Sequence, residues 1–143
     1  MTVSRILQQK GGDIVTISPG ATLGDAVARL ARHHIGAIVV VDEHMAVEGI
    51  ISERDVVRLL GERGTEALTA PLDGVMTRAV VTCTGDETVP VIMERMTRGR
   101  FRHVPVVEGS RLVGIISIGD VVKHRVEEME REHAALRDYI MSA

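Results

Sequence analysis

No tryptophan occurs in this chain, and phenylalanine and tyrosine occur once each. A protein that stacks single-stranded bases on aromatic rings would have almost nothing to stack them on. Cysteine is equally scarce. Cys83 stands alone, which excludes an internal disulfide and a multi-thiolate metal site. Long apolar runs are missing too: the longest, residues 36–41, falls far short of the ~18–20 residues that a membrane span needs. No apolar signal segment follows the first residues, Met1 to Arg5, so the expected location is the cytoplasm. No basic run exists and the net charge is −3. Neither nucleic acid nor membrane is an expected partner.

What remains is a globular composition, 45% hydrophobic and 26% charged over 143 residues. The core must be built from Val, Ile, Leu, Met and Ala. The length suits one domain or two very small ones. Units of about 50–60 residues bury a limited share of their surface, so two such units are expected to share a core or to dimerise.

The sequence repeats itself. Thr16-Ile17-Ser18-Pro19-Gly20-Ala21-Thr22-Leu23 aligns with Thr82-Cys83-Thr84-Gly85-Asp86-Glu87-Thr88-Val89 at an offset of 66 residues. The same offset carries residues 37–42 onto 103–108. One residue is then lost in a turn, and Gly49-Ile50-Ile51-Ser52-Glu53-Arg54-Asp55-Val56-Val57 falls on Gly114-Ile115-Ile116-Ser117-Ile118-Gly119-Asp120-Val121-Val122. Order, spacing and the closing G-I-I-S-x-x-D-V-V all recur.

Each copy reads as β-α-β-β-α. A short strand is expected at residues 14–17 and again at 80–83. Thr22, with Asp25 three residues on, and Thr88, with Pro90 in the first turn, are expected helix N-caps. Leu23, Ala26, Val27, Leu30 and Ala31 recur at one-faced helical spacing, as do Val89, Ile92, Met93 and Met96. Two β-branched hairpins follow, residues 37–41 with 47–51 and 104–107 with 112–116, and a second helix begins after Ser52 and Ser117. Residues 61–71 read as a polar linker. Residues 72–77 lead into the second copy, as residues 3–7 lead into the first by way of Gln8 to Gly12.

Ser-x-x-Asp at the end of a buried strand has two meanings. Its Ser caps the helix and its Asp complements the helix dipole. Alternatively, the carboxylate accepts ribose hydroxyls while the Ser hydroxyl and helix-start N–H groups hold phosphate oxygens. From the residues alone both stand. Cys83 has no His or Asp at motif spacing and His33-His34 point to different helix faces, so neither a nucleophile nor a metal site is expected.

Residues 1–125 resemble a CBS-domain pair, or Bateman module. The doubled G-I-I-S-x-x-D-V-V, the helix followed by V-P-V-V, and Arg100-Phe101-Arg102-His103-Val104-Pro105-Val106 carry the resemblance. It implies an α+β fold: two CBS motifs, residues 1–60 and 72–125, packed sheet to sheet with pseudo-twofold symmetry, followed by a C-terminal helix over 126–143. It also implies a cleft with two sites for adenosine ligands, AMP foremost, then ADP, ATP, NAD or S-adenosylmethionine. One site would join Ser52, Arg54 and Asp55 to Thr77, Val80, Arg102, His103, Val104 and Pro105, with Arg54, Arg102 and His103 around the phosphate and Val104 and Pro105 in the adenine slot. The other would join Ser117, Gly119 and Asp120 to Ile14, Gly36, Ala37 and Ile38, with no obvious phosphate ligand. The implied function is a regulatory nucleotide sensor acting on a separate protein, not an enzyme. The alternative is a dimeric interaction module whose cleft stays empty.

After Gly119 no proline or glycine interrupts the chain. Val122, Val126, Met129, His133, Leu136 and Ile140 then fall at heptad spacing with one polar member. A homodimer using this helix together with the CBS helices is expected.

Overall fold

The computed structural model describes residues 1–11 and 14–142; Gly12, at the end of the expected lead-in, lies outside them. The first copy contains β1 (Thr16–Ile17), α2 (Leu23–His33), β2 (Ala37–Val41), β3 (Val47–Ser52) and α3 (Glu53–Arg63), preceded by α1 (Val3–Lys10). The second contains α4 (Val89–Gly99), β4 (His103–Glu108), β5 (Arg111–Ser117) and α5 (Ile118–Ser142). β1 runs parallel to β2, and β2 antiparallel to β3. β4 and β5 form an antiparallel pair in which His103 faces Ser117 and Val104 faces Ile116.

The caps form largely as the spacing requires. Asp25 N–H donates to Thr22 Oγ1 at 3.2 Å while Thr22 N–H donates back to Asp25 Oδ2 at 3.0 Å. Thr88 is the N-cap of α4 but makes no side-chain cap; the first turn relies on Pro90, whose missing N–H costs nothing there.

β2 is buried along its whole length, and its alternation divides two cores. Ile38 and Val40 pack with α2 and α3 residues such as Leu30 and Leu59. Val39 and Val41 turn the other way and meet Leu112 and Ile115 of the second copy. Leu112 N–H donates to Met45 O across the same junction at 2.9 Å. The two copies therefore pack sheet to sheet, as expected.

Three expectations are corrected. The first strand reduces to two residues. Its counterpart at 80–83 reduces to one parallel bridge, where Cys83 N–H donates to Pro105 O at 3.0 Å and Val107 N–H to Cys83 O at 2.8 Å. The reason lies just upstream. Thr77 exchanges both backbone hydrogen bonds with Ile50 of β3, each at 3.0 Å. The chain is thus held on the first copy at residue 77 and on the second at 83, and the residues between cross a cleft instead of following a ladder.

The third correction concerns the supposed linker. α3 continues through Arg63, and 3₁₀ turns follow at Gly64–Thr69 and Leu72–Gly74. Ala67 and Leu72 are buried in the first copy's core. Leu23 N–H donates to Ala70 O and Leu72 N–H to Ala21 O, at 2.9 and 2.8 Å. The segment leading into the second copy thus completes the first. α1 does the converse: Val3 and Ile6 pack among Val89, Ile92, Val104 and Val121 of the second copy, and Val3 N–H donates to Glu87 O at 2.9 Å.

Candidate functional site

Two clefts open where the copies meet. The first has a volume of about 620 Å³. Its floor is the β3–α3 junction. Asp55 Oδ2 accepts from Ser52 N–H at 2.9 Å and from Ser52 Oγ–H at 3.0 Å, and Asp55 N–H donates to Ser52 Oγ at 3.2 Å. The capping arrangement is realised, and it holds the carboxylate at the cleft with its Oδ1 only loosely engaged, 3.4 Å from Arg58. The opposite wall is the α4–β4 turn of the second copy. Arg100 there adopts φ 58°, the left-handed helix end that delivers Phe101, Arg102 and His103 to the cleft.

Ser52, Arg54, Asp55, Thr77, Val80, Arg102 and His103 all line this cleft, as expected. Arg54 and Arg102 are exposed and have no ion-pair partner among the described residues. Val104 and Pro105 do not line it. Val104 is wholly buried in the second core, and the Pro105 carbonyl is taken by Cys83 N–H. Gly36, Ser117 and Gly119, expected in the second site, line the first cleft as well. Glu53, Phe101 and Ile118 are lining residues that spacing did not reveal.

The second cleft, about 380 Å³, is lined by Ile14, Gly36, Ala37, Ser117 and Asp120 from the expected set. Ile38 is absent, being wholly buried in the first core, and Gly119 turns to the first cleft. Asp120 repeats the Asp55 arrangement, accepting from Ser117 N–H at 2.9 Å, with its own N–H 3.1 Å from Ser117 Oγ.

Here, however, a cation is already present. Lys10 at the end of α1 donates from Nζ to Asp120 Oδ2 at 2.8 Å and to Ile115 O at 3.0 Å. His34 lines the same cleft. A cationic side chain thus stands in the second cleft, where the sequence offered none. Burial pushes the Asp120 carboxyl up, but the hydrogen bonds from Lys10 and Ser117 outweigh it and hold the group below its ordinary value.

His103 lines both clefts. It occupies the position that Ala37 holds in the first copy, and the neighbouring Gly36 leaves room for it. A Cβ at Gly36 would stand 3.2 Å from the imidazole and 3.1 Å from Glu53 Oε1. Burial lowers the His103 pKa; Lys10 and Arg102 add to this, while Glu53 and Asp120 oppose it without cancelling it. Burial thus favours the neutral form of this ring where it stands between the two clefts. Cys83 is buried, and burial with Glu87 nearby pushes its thiol up to about 11. It is no nucleophile at neutral pH.

The CBS domain model matches residues 3–62 and 72–127. The CBS-domain protein ATU1752 from Agrobacterium tumefaciens is 47% identical, with a TM-score of 0.83 over 87% of this chain and 99% of that one. The CBS domain protein PAE2072 from Pyrobaculum aerophilum, solved with AMP, is 28% identical, with a TM-score of 0.75 over 84% and 89%. The CBS domain pair of protein MJ0100, solved with 5'-methylthioadenosine and S-adenosyl-L-methionine, is 27% identical, with a TM-score of 0.80 over 90% and 98%. With both halves of the chain matched and each half's Ser-x-x-Asp standing at a cleft between them, the chain belongs to the CBS-domain family as a tandem pair.

Proposed function

We propose that this chain is a regulatory module that binds an adenosine nucleotide, AMP foremost with ADP, ATP and NAD as further candidates, and passes its occupancy to a separate partner protein. One observation carries the reading. The first cleft joins the Ser52–Asp55 carboxylate cradle of one copy to Arg102 and His103 of the other. Asp55 suits a ribose diol, and Arg54 and Arg102 suit phosphate by charge-assisted hydrogen bonds. The volume falls within the range typical of small-molecule sites. Related pairs bind AMP or methylthioadenosine and S-adenosylmethionine, which supports an adenosine ligand as the class.

Regulation without catalysis, a homodimer and a cytoplasmic location belong to the same reading. No described helix is long and apolar enough to cross a membrane. Binding is tested by thermal melting with AMP, ADP, ATP and NAD. A ligand held only by the native state stabilises it by about 2.7 kcal/mol at 100 times its Kd. No shift with any of the four at millimolar concentration would overturn the sensor and leave a dimeric interaction module with an empty cleft.

A further inference from the structure

α5 runs 25 residues, Ile118–Ser142, and only Val121 and His124 along it are buried. Both lie on the side that rests on the second copy. The seam of Val122, Val126, Met129, His133, Leu136 and Ile140 lies on the other side. In heptad terms the seam occupies a and d, whereas Val121 and His124 occupy c and f, about 160° away at 100° per residue. The chain's own body therefore cannot cover the seam. Its apolar members are 47–63% exposed, which for a stripe of this length marks an association surface.

The charges beside the seam choose the occupant. With Val126, His133 and Ile140 at a and Val122, Met129 and Leu136 at d, the e positions are Lys123, Glu130 and Arg137. The g positions are Arg125, Glu132 and Tyr139. In a parallel pair each g faces the e five residues on in the partner. Arg125 then meets Glu130, and Glu132 meets Arg137, in both directions. In an antiparallel pair e faces e and g faces g. Glu130 would meet Glu130, Glu132 would meet Glu132, and Lys123 would meet Arg137. Every ionic pair attracts in the first arrangement and repels in the fully overlapped form of the second. Val126 and Ile140 at a and Leu136 at d agree with this, because β-branched residues at a and Leu at d favour two parallel strands. Arg125 also reaches Glu128 of its own helix at 2.7 Å, so the Glu132–Arg137 pair is the cleaner determinant.

We infer that the C-terminal helix pairs with its counterpart in a second copy of this chain as a parallel two-stranded coiled coil, which fixes the two CBS bodies side by side on the outer faces. The inference rests on the homodimer of the preceding reading and not on its ligand.

Three exposed positions test it without disturbing the fold. Leu136→Cys places a thiol at a d position, which faces its own copy within disulfide reach only in the parallel pair. The antiparallel register sets the introduced thiol opposite residue 126, about 15 Å along the axis from its twin. Mild oxidation is expected to give a covalent dimer, reversed by reductant, while the parent chain with its buried Cys83 gives none. Arg137→Glu is expected to loosen the dimer roughly tenfold by sedimentation at low salt, and adding Glu132→Arg to restore it. No crosslink, or a dimer unchanged or tightened by Arg137→Glu, overturns the inference. The AMP-induced melting shift is unaffected by these variants, so a failed coil and a failed sensor are told apart.

Discussion

Lys10→Met removes the ammonium from the second cleft and keeps most of the aliphatic stem that packs there. Two effects oppose each other. The ion pair with Asp120 spans 2.8 Å, with side chains 37% and 21% exposed. Solvent screens such a pair to about 0.5–1 kcal/mol. Asp120 keeps the Ser117 N–H, so no orphaned carboxylate enlarges the loss. For a chain of this length the melting temperature should fall by about 2–4 °C. Ligands feel the change differently. Adenosine must compete with Lys10 for Asp120, so its affinity should rise when the ammonium goes. AMP carries a phosphate that Lys10 can take up, so it loses a charge-assisted contact, screened here to about tenfold in Kd. The preference for AMP over adenosine should therefore drop at least tenfold. Calorimetry in an Asp55→Ala background isolates the second cleft. An unchanged preference, or adenosine binding that weakens, would refute the reasoning.

Asp55→Ala should weaken AMP binding more than Asp120→Ala, because Arg54 and Arg102 have no ion-pair partner among the described residues while Asp120 is already held by Lys10; titrations of the two variants settle the order. Leu72→Ala, in the segment that reads as a linker, should cost about 3 kcal/mol in urea unfolding, since the side chain is wholly buried; a loss under about 0.5 kcal/mol would mean the segment does not complete the first core. The Glu87 carboxyl is lowered chiefly by its hydrogen bond from Arg95, so its contribution to stability is full above the ordinary value of 4.5 and is lost as pH falls through the lower folded value. Glu87→Gln should cost about 1 kcal/mol at pH 7 and progressively less on acidification, measured by denaturant midpoints at a series of pH values.

The repeat made most of the fold legible. An offset shared by caps, helices and hairpins leaves little freedom, and Thr22, Ser52 and Ser117 cap where their spacing says. Local signals failed where the partner is distant. Val3 and Ile6 belong to a short segment with few apolar residues, and what buries them lies some eighty residues on. Residues 80–82 are strand-like by composition, yet Thr77 pairs with Ile50 and pulls them across the cleft. The site divides likewise. Asp55 and Asp120 were legible because a repeated Ser-x-x-Asp marks them. Lys10 was not, because its place in the second cleft depends on α1 docking against the second copy. Val104 and Ile38 were misplaced because a run of buried residues does not say which face meets a ligand.

The exchange of lead-in segments sets a timetable for synthesis. α1 is made first, but Val3 and Ile6 have nowhere to go until Val89, Val104 and Val121 have left the ribosome, on the order of ten seconds later. The first copy's own core, by contrast, is complete in sequence at Met76, while the Val39 and Val41 face of β2 still waits for Leu112. Only the completion of the second copy gives α1 its packing partners and, with them, brings the lysine that furnishes the second cleft.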